Sequence, residues 1–190
     1  MTFTEIALFG IGLAMDAFAV AICKGLCMRK MDYYQGFVIA LFFGVFQAFM
    51  PFVGYWLGKS FESYITSIDH WVAFGLLVYI GAKMIKEAFE EEEISCDIEA
   101  PKLKLKELFV LSVATSIDAL AVGIAFSFRP DVNIYENIAI IGIITFVIAY
   151  LGVIIGNKFG TRYKQKAEIA GGGILILLGV KMLLEGIGVL

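Results

Sequence analysis

Ala14-Met15-Asp16-Ala17-Phe18-Ala19-Val20-Ala21-Ile22 and Ser116-Ile117-Asp118-Ala119-Leu120-Ala121-Val122-Gly123-Ile124 are one phrase written twice. Each sets a carboxylate near the centre of an apolar stretch. In the middle of a bilayer that placement costs about 2.5–3.5 kcal/mol on insertion scales, so a carboxylate is seldom there without a task. Two of them in matched context point to a paired site.

Working outward, the composition puts both phrases in a membrane. Of 190 residues, 60% are hydrophobic and only 17% charged, and the mean hydropathy of +0.86 exceeds that of ordinary soluble domains. Apolar runs fall at 3–23, 36–57, 71–89, 108–128, 138–157 and 168–190, most near the roughly 20 residues that a spanning helix needs. The runs are continuously apolar rather than alternating, which predicts helices that satisfy their own backbone and not a barrel. The expected fold is an all-α integral membrane protein with six transmembrane helices. The first run has no basic region before it and holds Asp16, so it reads as a retained helix and not a cleaved signal.

Lys and Arg favour cytoplasmic loops. Lys24, Arg29 and Lys30 follow the first run, Lys102, Lys104 and Lys106 the third, and Lys158, Arg162, Lys164 and Lys166 the fifth, whereas the other connections carry only Lys59 and Arg129. This alternation predicts both termini outside the cytoplasm. The net charge of −3 says little about partners, because much of the acid lies in the run Glu90–Glu93. No nucleic-acid partner is expected.

A shift of 102 residues aligns Asp16 with Asp118. A shift of 98 aligns Gly54 and Gly58 with Gly152 and Gly156, Gly75 with Gly173, Gly81-Ala82-Lys83-Met84 with Gly179-Val180-Lys181-Met182, and Glu87 with Glu185. The chain divides into one repeat at 1–89, a charged linker at 90–107 and a second repeat at 108–190. Three spans per repeat force the second copy to enter upside down, which gives two inverted three-helix repeats in a single transport domain. That plan recurs in secondary transporters, with the substrate near the midplane. At 1.5 Å per residue Asp16 lies roughly 20 Å along its helix and Asp118 roughly 17 Å along its own, entering from opposite sides.

Facing carboxylates suit hard divalent cations such as Mn²⁺, Mg²⁺ and Ca²⁺. One His and three Cys give no imidazole or thiolate cage, and Cys23 and Cys27 would sit at a reducing cytoplasmic helix end. Further oxygen donors are Thr115, at i−3 from Asp118, and Gln47 and Thr145, which align with one another in the second helices of the repeats. The plainer alternative is that the aspartates only hydrogen-bond neighbouring helices.

The phrases around Asp16 and Asp118, together with Phe43-Gly44 … Pro51 … Gly54 … Gly58, His70-Trp71-Val72-Ala73-Phe74 and Lys166-Ala167-Glu168 … Gly171-Gly172, resemble the MntP-type manganese efflux pumps of bacteria across nearly the whole chain. The resemblance implies an inner-membrane exporter of Mn²⁺, with Asp16 and Asp118 needed for transport. It also implies that relatives can carry Glu where this chain has Gln47, which would leave the present site one negative charge poorer.

Other polar residues admit two readings each. Lys83, at a depth similar to that of Asp16, could neutralise that carboxylate; the plainer expectation is that Lys83 and Lys181 snorkel to opposite interfaces. His70 and Glu168 start equivalent helices on opposite sides and could gate access. The glycine pairs predict close helix crossings, and Pro51 predicts a kink or unwinding near Gln47 that has no counterpart at Ala149. Small-residue faces could bring two copies together as a homodimer. The chain is read as a secondary transporter and not an enzyme, needing no cofactor, with a divalent cation as cargo and the bilayer as its other partner. No phosphate-binding loop argues for direct ATP use, and protons would compete with the cation for the carboxylates. The alternatives are an exporter of another divalent cation or a small amino acid and, more remotely, an intramembrane aspartyl protease, whose Gly-x-Gly-Asp context is missing before Asp118.

Overall fold

The computed structural model describes residues 3–28, 30–65, 69–89, 104–128, 133–159 and 163–187. The acidic run at 90–93 and most of the linker lie outside these. Among the described residues every regular element is a helix: α1 Phe3–Leu26, α2 Tyr33–Ile65, α3 Asp69–Glu87, α4 Leu105–Thr115, α5 Ile117–Ser127, α6 Ile134–Phe159 and α7 Lys164–Gly186. The reason is that in an apolar medium a lone segment must bond its own N–H and C=O groups, which only the helix does. Among the described residues, four spans are long and apolar enough to cross a membrane: Phe3–Leu26, Tyr33–Ser60, Leu105–Ser127 and Ile134–Phe159. α3 and α7, of 19 and 23 residues, are helices packed on one another.

The helices pack mainly in four pairings: α1 on α6, α2 on α5, α2 on α6 and α3 on α7. Small residues set the crossings. A Cβ on Gly54 would overlap the Leu120 carbonyl of α5, and one on Gly156 the Ile22 carbonyl of α1; one on Gly152 would come within 3.0 Å of the Phe18 carbonyl. A Cβ on Gly44 or Gly142 would come within 2.9 or 3.0 Å of the other's carbonyl oxygen, and one on Gly81 or Gly172 within 2.5 Å. Only glycine allows backbones this close.

These contacts also give direction. Along α1, Gly10, Phe18 and Ile22 meet Ile144, Gly152 and Gly156 in ascending order, so α1 and α6 run parallel. α2 meets α5 in ascending order too, through Gly54 on Leu120 and Gly58 on Ser127. By contrast, Gly36 lies against Val153 and Gly44 against Gly142, so α2 runs antiparallel to α6.

Two buried apolar clusters hold the bundle. One gathers Phe9, Leu77, Met84, Val122, Phe126 and Leu175 from α1, α3, α5 and α7, with Phe9 and Phe126 edge to face at 5.2 Å. The other gathers Ala17, Ile39, Phe43, Leu108 and Val153 from α1, α2, α4 and α6. Outside, Phe37, Leu41, Val45 and Phe49 expose one i+4 stripe of α2. A patch of that size would be a liability in water and is ordinary against lipid.

The unwinding expected at Pro51 is not found. α2 runs unbroken through Pro51, and the interruption lies at Ser116, where α4 ends and α5 begins. Proline removes only one backbone donor, and Gly123 lets Pro51 seat directly against α5, so helix packing holds α2 together. At the break the Ser116 N–H turns to the Val113 carbonyl at 3.1 Å, the tighter i−3 pattern. Hydroxyls compete for the carbonyls just before it: Ser112 Oγ donates to Leu108 O at 2.8 Å and Thr115 Oγ1 to Ser112 O at 3.3 Å. Such back-bonding bends helices.

Candidate functional site

Gln47 is fully buried on α2, one turn beyond the Gly44–Gly142 crossing. Its Nε2 donates to the Leu13 carbonyl of α1 at 3.1 Å, and its Oε1 accepts from Ser116 Oγ at 3.0 Å. The chemistry of the two partners sets the amide's orientation, since a carbonyl can only accept. Leu13 lies three residues before Asp16 and Ser116 two before Asp118. Gln47 therefore ties the two aspartate segments together across the middle of the bundle.

Asp118 is buried in the first turn of α5, where the helix dipole favours a negative charge. Its Oδ1 lies 3.5 Å from Lys83 Nζ of α3, and its Oδ2 is buried without a hydrogen-bond partner. Thr145 Oγ1, at the position matching Gln47, is likewise buried and unpartnered. Unsatisfied buried oxygens cost free energy and call for an explanation. Asp16 sits half-buried on α1. Thr115 is buried, but the break assigns it to α4 and Asp118 to α5, so i, i+3 spacing on one continuous helix does not by itself join them.

Lys83 and Lys181 are both paired with carboxylates. Lys83 stands one turn before the end of α3, and helical side chains lean toward the N-terminus; it therefore reaches back into the bundle, to Asp118. Lys181 of α7 pairs with Glu5 of α1, and Lys24 of α1 with Glu107 of α4. The side chains of His70, Glu168, Glu87 and Glu185 lie outside the description. Among the described residues no group of three or more His, Cys, Asp or Glu converges as a ready metal cage. Cys27 is disulfide-bonded, so Cys23 and Cys27 offer no thiolate pair.

Sequence reasoning passed over Ser116, Leu13 and Glu5. The cluster of hydroxyls at 112, 115 and 116 was the available signal for the break. The Leu13 carbonyl carried no signal, since every residue has one.

Buried carboxylate chemistry inside long apolar helices defines a class, the multi-pass α-helical membrane protein. The family model described as "Putative manganese efflux pump" matches residues 30–183, and the chain belongs to that family. A protein named "Putative manganese efflux pump MntP" from Desulfitobacterium hafniense (strain Y51) is 55% identical over 186 residues, covering 98% of this chain and 96% of that protein. One of the same name from Acetivibrio thermocellus is 52% identical over 190 residues, covering 100% and 94%. Another from Clostridium perfringens (strain SM101 / Type A) is 47% identical over 209 residues, covering 100% and 98%. No solved structure matches.

Proposed function

We propose that the chain exports Mn²⁺ across the bacterial plasma membrane by alternating access, with Asp16 and Asp118 as the charged ligands and Gln47, Thr115 and Thr145 as neutral oxygen donors around them. One observation carries the reading: Asp118 Oδ2 is a carboxylate oxygen kept buried and unsatisfied in a membrane-spanning segment, as a transient cation ligand would be. Hard cations of this kind take carboxylate, amide, hydroxyl and water oxygens. Few charged ligands mean modest affinity, and a transport site needs its cargo to leave.

The architecture proposed is six spans in two inverted repeats, 1–89 and 108–190, with both termini extracytoplasmic. The glycine contacts support it. Gly54 on Leu120 and Gly152 on Phe18, like Gly58 on Ile124 and Gly156 on Ile22, are the same contact under shifts of 98 and 102. Gly44 meets its own counterpart Gly142, as a residue near a pseudo-two-fold axis would. With α1 parallel to α6, α2 parallel to α5 and α2 antiparallel to α6, the matching helices of the two repeats run in opposite directions. Each repeat lends its first helix to the second helix of the other, so rocking would slide these shared crossings.

Protons are the proposed exchange partner, because a carboxylate must be deprotonated to hold a metal and the two ions compete for it. The test is reconstitution into liposomes containing a Mn²⁺-quenched dye, with and without an imposed pH gradient. Wild type should carry Mn²⁺, and Asp16→Asn and Asp118→Asn, once shown to be folded, should not. Folded variants that transport like wild type would refute the site; rates indifferent to the gradient would refute the exchange. Competition by Cd²⁺ or Ca²⁺ in the same vesicles ranks the alternative cargoes.

A further inference from the structure

The ion pair between α3 and α5 has a property that the export reading does not use. Lys83 Nζ and Asp118 Oδ1 stand 3.5 Å apart, looser than the roughly 2.7–2.9 Å of a close charge-assisted hydrogen bond. The lysine side chain is 37% exposed while that of Asp118 is 10% exposed. One partner is therefore fixed in the bundle, and the other, on a flexible four-carbon stem, has space to withdraw. Only one carboxylate oxygen is engaged; Oδ2 has no hydrogen bond.

We infer that Lys83 is a tethered counter-cation: its ammonium occupies Asp118 when no metal is bound and is displaced when the transported cation arrives. This rests on the export reading above and deepens it. A carrier must return through the bilayer after releasing its cargo, and a bare buried carboxylate would make that step costly. An ammonium on a stem neutralises the empty site without leaving the protein. It is also repelled by a divalent ion at the same carboxylate, so the two occupants exclude one another. Lys83 is thus a positioning residue that sets affinity and the rate of return, and is not itself a ligand.

The experiment uses the full chain in detergent and in liposomes. Mn²⁺ binding is read by the loss of the free-ion electron paramagnetic resonance signal, and efflux by dye quenching. Lys83→Gln removes the competitor: Mn²⁺ should bind roughly three- to tenfold tighter, the range expected for loss of a partly exposed ion pair and of repulsion at the site, while maximal efflux falls. A merely structural lysine would lower both or neither. Lys83→Arg provides a second, independent reading, because a forked guanidinium grips a carboxylate more firmly: binding should weaken by about twofold or more. A folded Lys83→Gln protein with unchanged or weaker Mn²⁺ affinity overturns the inference, and so does a Lys83→Arg protein that binds as well as wild type. If wild type itself binds no Mn²⁺, the export reading falls and the inference falls with it, an outcome distinct from the other two.

Discussion

The α1 and α4–α5 segments carry the same phrase around Asp16 and Asp118, yet one is a continuous helix and the other is broken two residues before its aspartate. The difference lies one turn upstream. Under the 102-residue shift, Ser112, Thr115 and Ser116 correspond to Gly10, Leu13 and Ala14. The second copy has hydroxyls that compete for helix carbonyls; the first has none. Gln47 meets the two copies differently for the same reason, reaching a backbone carbonyl in one and a serine hydroxyl in the other. One aspartate thus sits within a continuous helix and the other just after a helix break, a difference that would suit the proposed carrier, which must both hold and release.

The largest expected effect tests whether the two copies are equivalent. Asp118→Asn and Asp16→Asn should each cut Mn²⁺ transport by about a hundredfold or more, since even outer-shell partners of a metal ligand are worth about 10–100-fold. Vesicle uptake assays that spare either variant would break the pairing. Next come the crossings: Gly156→Ala on α6 and Gly54→Ala on α2 push a methyl into a carbonyl and should each lower stability by about 1–3 kcal/mol, read as thermal shifts in detergent. Equal losses would support interchangeable crossings, and unequal ones would sharpen the contrast between the halves.

Gln47→Leu strands the Ser116 hydroxyl and removes a donor from Leu13, which should cost about 1–2 kcal/mol by the same thermal measurement. Smaller in stability but more pointed, the double change Ser112→Ala and Ser116→Ala brings the second copy closer to the first while keeping Thr115. It should slow turnover severalfold while Mn²⁺ binding persists, because Asp118 is kept and only the articulation is lost; kinetics identical to wild type would mean that the break is incidental. The smallest effect is expected at Gly75→Ala and Gly173→Ala, where nothing lies within 4 Å of the added methyl. Stability should stay level or rise by less than about 1 kcal/mol, through helix propensity.

Much of the fold was legible from hydropathy, because a bilayer leaves a chain few options. The apolar runs at 3–23, 36–57 and 138–157 lie inside α1, α2 and α6 with a few residues added at the ends. The misjudged interruption is instructive. Proline is the loud signal for a break, but α2 carries Pro51 unbroken because packing on Gly123 supports it. The quieter hydroxyls of α4 produced the break instead. For the candidate site, Asp118, Gln47 and Thr145 are all buried as their apolar context suggested, and Lys83 is paired with Asp118, a partner the sequence did not single out.

The sequence by itself determined the solvent, the helices and the apolar setting of the two carboxylates, since these follow from local hydropathy. Only the tertiary structure decided which partners those groups meet: Lys83 with Asp118, Lys181 with Glu5, and Gln47 between Leu13 and Ser116. The physical reason is range. Helix formation is settled within a few turns, whereas an ion pair 35 residues apart or a hydrogen bond 69 residues apart depends on which helices cross and at what register. Those crossings are set by where glycine lets two backbones touch.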